Sequence, residues 1–157
     1  MAPHHQDIPV PSHRYIPGLT PRHSDNWFDD IKASVDAHTP SEHLHETLAF
    51  RAGRLYFDLG FYWECHQVLD VVWMQTKDPS AERDMVLALI QLANARLKTA
   101  MNQPLAAWRL CDMVETRLSR CPTDRAVLGL HVVDMQSLAG DTRLASRKPN
   151  DKSDTRD

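Results

Sequence analysis

The chain has 157 residues, 42% of them hydrophobic and 25% charged, with a net charge of −3 when histidine is neutral. That fits one globular domain and leaves little room for a second, and a slightly acidic chain lacks the basic footprint of a nucleic-acid binder. No apolar run approaches the roughly 20 residues that span a bilayer, and Met1-Ala2-Pro3-His4-His5 lacks the layout of a signal peptide, so a cytoplasmic location is expected.

Residues 1–23 carry Pro3, Pro9, Pro11, Pro17 and Pro21, a density that prevents a helix and predicts an extended arm. Tyr15, Ile16 and Leu19 are the arm residues suited to lie against a domain body. A short helix is expected near 25–37, capped by Ser24, with Trp27, Phe28, Ile31 and Val35 on one side.

Thr39-Pro40-Ser41-Glu42 has the form of a capping box with proline at the first helical position. Leu44, Leu48, Ala52, Leu55 and Leu59 then recur at spacings of three and four, predicting one helix over 41–59 that Gly60 ends. A second follows over 62–75, with Tyr62, Cys65, Val68, Leu69, Val72 and Trp73 on one arc and Glu64, Gln67 and Val71 opposite. Asp78-Pro79 breaks the chain before a third helix over 81–101, which is apolar on most sides and therefore expected at the centre. Asn102 and Pro104 turn the chain into a helix over 104–120. A last helix is expected over 124–138, capped by Thr123 and closed by Gly140. Strand-like alternation is absent.

The predicted fold is all-α: a bundle of these five main helices stacked as hairpins, in a domain of residues 24–140 between the arm and a disordered polar tail, 141–157. An internal echo supports the stacking. Arg54-Leu55 and Arg96-Leu97 open segments offset by 42 residues, in which Gly60 matches Asn102, Cys65 matches Ala107 and Asp70 matches Asp112. Each reads as helix, tight turn, helix, with a small residue where the pair crosses.

Cys65, Cys111 and Cys121 are odd in number and widely spaced, which argues against a zinc ribbon or a disulfide framework. Cys65 and Cys111 sit in apolar helical patterns as small core residues. No Gly-rich phosphate loop and no Gly-x-Ser-x-Gly elbow occurs.

Three segments, in order, carry a resemblance: Leu59-Gly60-Phe61-Tyr62-Trp63-Glu64-Cys65-His66-Gln67-Val68-Leu69-Asp70-Val71-Val72-Trp73, then Leu89-Ile90-Gln91-Leu92-Ala93, then Asn102-Gln103-Pro104-Leu105-Ala106-Ala107. With the arm Tyr15-Ile16-Pro17-Gly18 they resemble domain-of-unknown-function family 309 over about residues 14 to 120. The resemblance implies a compact helical bundle without an established activity. A label of predicted metal-dependent hydrolase is attached to parts of that family. Where the family pattern has acids, this chain has Gln67, which cannot act as a general base, and the shorter Asp70.

His66, Asp70 and Trp73 fall at i, i+4 and i+7 on one face. Two readings follow. In one, His66 and Asp70, with Glu64, are an acid/base or metal-binding pair of a hydrolase, the cofactor being a divalent metal. Zinc needs at least three protein ligands, so others must come from another helix. In the other, Asp70 accepts a hydrogen bond from His66, Trp73 is core, and the protein is a non-catalytic scaffold or binding module without a cofactor. Gln91, Asn94 and Lys98 form a polar line on the central helix, positioned to complete a pocket with His66 and Asp70 or to lie at the surface. The remaining histidines lack a partner pattern, and Trp63, on the polar side of its helix, calls for cover by the arm or by a partner subunit. A protein or small-molecule partner is expected, with no nucleic acid and no membrane, and self-assembly is open.

Overall fold

The structure is a computed structural model and describes residues 8–146. The α-helices are α1 (Asp29–Lys32), α2 (Leu48–Leu59), α3 (Tyr62–Gln75), α4 (Ala81–Ala100), α5 (Pro104–Leu118) and α6 (Val132–Ala145), with a 3₁₀ helix at Ser41–Glu46 before α2. Among the described residues there is no strand, and Val127 and Leu130 form an isolated bridge. No helix there is long and apolar enough to cross a membrane.

The expected hairpins are present. α2 packs on α3, α4 on α5, and α3 on α4, with α6 closing against α5 and α4. α4 is central, with Val86, Ala88, Leu92, Ala93 and Ala95 all without exposure. The echo is physical: Gly60 and Asn102 both take positive φ, 86° and 60°, in the two hairpin turns. Cys65 and Ala107 are both sealed from solvent. Gly60 N–H donates to the Phe57 carbonyl and Phe61 N–H to that of Tyr56, at 3.2 and 2.8 Å, a Schellman closure that only a left-handed residue permits.

Four expected boundaries move. The helix expected over 41–59 is two elements, because Thr47 is extended (φ −72°, ψ 154°) and its side chain accepts the Phe50 N–H. The true cap is therefore Thr47, and Thr39 caps nothing. The short helix near 25–37 contracts to α1, and Ser24 serves only through its carbonyl, in a turn to Trp27 N–H. The helix expected over 124–138 begins at Val132. Before it, Leu128 and Gly129 take φ of 50° and 75°, which no right-handed helix contains. Gly140 lies inside α6, which runs to Ala145, past the expected domain end at 140. Leu59 and Leu19, expected against the body, are exposed. The rest of the expected tail, and residues 1–7 of the arm, lie outside the described residues.

The described part of the arm, residues 8–23, is tied to the bundle at several points. Ile8 is buried, Tyr56 Oη donates to the Pro9 carbonyl, and Arg14 Nη2 donates to the Leu59 carbonyl at 2.7 Å. At the α2–α3 crossing Gly53 replaces any side chain: a Cβ there would lie 2.5 Å from Leu69 Cδ2. Gly53→Ala gains about 1 kcal/mol of helix propensity, while overpacking of this kind costs about 1–3 kcal/mol. Because Leu69 is fully buried, the expected result is a net loss of about 1 kcal/mol in urea unfolding. A gain in stability would show that the crossing relaxes freely.

Candidate functional site

Glu64 is the buried acid of α3. Its side chain has 0% exposure and that of His23, on the arm, 4%. His23 Nε2–H donates to Glu64 Oε2 at 2.6 Å, and the backbone N–H of Tyr15 donates to the same oxygen at 2.7 Å. Oε1 has no partner among the described residues. A carboxylate acceptor makes these bonds short and strong.

Aromatic rings wall the pair. Tyr15 meets Trp63 edge-on with centroids 4.9 Å apart, Phe28 lies 6.0 Å from Trp63, and His13 stacks on His23 at 4.5 Å. The expected cover for Trp63 is thus the arm. His13 is itself held, its Nε2 2.7 Å from the Pro21 carbonyl oxygen. The sequence reading placed Glu64 on the polar side of its helix and His23 among histidines without partners. A helical wheel contains no arm, and the arm turns that polar side into interior. Glu64 within an otherwise aromatic segment, Phe61-Tyr62-Trp63, was the available signal.

The expected His66–Asp70 contact does not form. Asp70 is exposed, His66 is half-buried, and no hydrogen bond joins them. The reason is angular: α3 presents Cys65, Val68, Leu69 and Val72 to the core, and Asp70 falls outside that wedge. Glu64 turns toward the arm, away from both. Gln91 is 7% exposed, with Oε1 unpartnered, and Asn94 is half-buried. Among the described residues no hydrogen bond links Gln91, Asn94 or Lys98 to His66 or Asp70. Among the described residues no three His, Cys, Asp or Glu side chains converge as a metal-holding group. Trp73 is half-buried, with the Arg83 guanidinium 4.0 Å from its ring centroid, a cation–π contact that ties the end of α3 to the start of α4.

The cysteines are core groups. All are free and buried. Burial pushes the Cys65 and Cys111 thiols up, and that of Cys121 up to about 11. Thiolate is the reactive form, so thiol reagents should label none of them in native protein near pH 7.5 and all of them in urea. Fast native labelling of Cys65 would show that α3 opens.

The described residues form an all-helical bundle whose arm is clasped by a buried Glu–His pair. Residues 50–110 match the family model described as Domain of unknown function (DUF309), so this stretch, from α2 into α5, carries that family's domain. No curated protein matches the chain, nor does any solved structure.

The clasp is testable by stability. Removing one partner of a buried pair costs about 3–5 kcal/mol. Glu64→Ala should therefore lose about 3 kcal/mol in urea unfolding and red-shift native tryptophan emission as Trp63 meets water. Glu64→Gln keeps an acceptor and should lose less. Asp70→Ala should stay within about 0.5 kcal/mol. A Glu64→Ala protein of unchanged stability and emission would remove the clasp from this account.

Proposed function

We propose that this chain is a non-catalytic helical binding module rather than a hydrolase built on α3. One observation carries the reading: the acids and histidine that such chemistry requires are committed apart from one another. Glu64 is enclosed and holds His23 and the Tyr15 N–H, while Asp70 stands exposed without contact to His66. A general base must reach the proton it removes, and Glu64 reaches only the arm. Gln67, where the related pattern has an acid, supplies no base. The bundle offers a binding module rigid helical walls, closed by a clasped arm.

The test is elemental analysis of protein purified without a histidine tag. Zinc, manganese and iron are expected far below one per chain. Stoichiometric metal that is lost in both His66→Ala and Asp70→Ala would overturn the reading in favour of a metal-dependent hydrolase.

A further inference from the structure

The 42-residue echo pairs Arg54 on α2 with Arg96 on α4. Arg96 is matched on every side. It donates to Thr142 Oγ1 at 3.0 Å, and to Tyr62 Oη and the Leu138 carbonyl at 3.4 Å each. Its guanidinium also lies 4.7 Å from the Phe57 centroid. Arg54 has no hydrogen bond or ion pair among the described residues. It lines a cavity of about 330 Å³ instead, between the start of the arm, α2 and the tight turn at 127–130.

Arg51 and Asp58 line the same cavity from the same helix. At i−3 and i+4 from Arg54, they share its face. His45 joins them from the 3₁₀ helix. Arg51 uses its Nε on the Glu46 carbonyl, at 3.3 Å. Its Nη1, and His45 Nδ1, are shielded from solvent without a partner among the described residues. Those two atoms are sealed within the wall, and Arg54 is the guanidinium that lines the hollow without a partner among the described residues. The opposite wall carries backbone strain: Leu128 holds a φ of 50° at the cavity, a conformation that non-glycine residues keep mainly where the surroundings enforce it.

We propose that this cavity binds a small organic carboxylate. Arg51 and Arg54 present planar forks that match a carboxylate in two-point geometry, and His45 adds a ring nitrogen. Phe50, Leu55 and Leu128 form the apolar wall for the ligand's body. Asp58 offsets one of the two guanidinium charges, so a monoanion leaves the site neutral and a dianion does not. It lies about 10 Å along α2 from Arg51, from the rise per residue, and orients the head group toward Arg51. The volume is at the small end of ligand pockets.

This inference rests on the binding-module reading. Calorimetric titration of the untagged full chain at low salt, with benzoate and hexanoate as probes, tests it against benzamide, benzylamine and phenyl phosphate. The carboxylates should bind one per chain. Their affinity should fall about ten-fold in the Arg51→Gln, Arg54→Gln double variant, whose folding is checked by its melting curve. Asp58→Asn should bring phenyl phosphate toward the affinity of benzoate. Equal binding of benzoate and benzamide, or benzoate binding unchanged in the double variant, would overturn the site. A wild-type preference for phenyl phosphate would overturn the carboxylate class. Metal-free protein that binds no carboxylate sinks this inference alone. Stoichiometric metal beside arginine-dependent benzoate binding sinks the binding-module reading and leaves the cavity's ligand standing.

Discussion

A carboxylate deprived of water has to be satisfied from within the protein, and Glu64 imposes that demand on the arm between Tyr15 and His23. Its Oε2 collects the Tyr15 amide and the His23 ring, two groups separated by the proline turn of the arm. Meeting both at once sets the path of the arm across α3. The rings of Tyr15, Phe28 and Trp63 then close over the pair and lower the local dielectric, which strengthens the same hydrogen bonds. The dependence is mutual: without the arm Glu64 would face solvent, and without Glu64 the Tyr15 amide and the His23 ring would lose their shared acceptor.

The rest of the bundle is organised around α4, which has neighbours on nearly every side. Gln91 Oε1 on this helix has no partner among the described residues, whereas Arg96 is matched by its neighbours. One guanidinium connects α2, α3 and α6 through stacking and three hydrogen bonds. Arg83 does comparable work at the other end, over Trp73 and toward Thr76. Arg143 bridges α6 to α5 through Asp112 and Glu115 at 2.6 and 2.9 Å. That pair is largely exposed and contributes little to stability.

The two hairpins, alike in backbone, differ in what covers them. α6 packs on the second and supplies partners for its arginine. The first receives the arm and the turn at 127–130, which leave a hollow beside Arg51 and Arg54. The same asymmetry separates the structural part of this protein, Glu64 with His23, from the part that faces solvent with unmatched charge.

Much of the architecture was legible in the sequence. Helical periodicity located α3, α4 and α5 nearly to the residue, because long apolar stripes and capping residues act within a few positions of one another. The hairpin turns at Gly60 and Asn102 were readable for the same reason: left-handed backbone is a local requirement. Where two local signals competed, the reading failed. Thr39 and Thr47 both suit a helix cap, and the extended backbone at Thr47 breaks the expected helix. The apolar run Val127–Leu130 suits a helix or a turn, and tertiary burial of Leu128 favours the turn. The site was legible only in part. The sequence marked Glu64, but its partner lies 41 positions away on an arm without periodicity, and no spacing rule links them. His66 and Asp70, the pair that spacing favoured, stay apart because a shared helical face permits a contact without requiring one. Local chemistry determined the helices; burial, which depends on what crosses above each face, decided which of their polar residues matter.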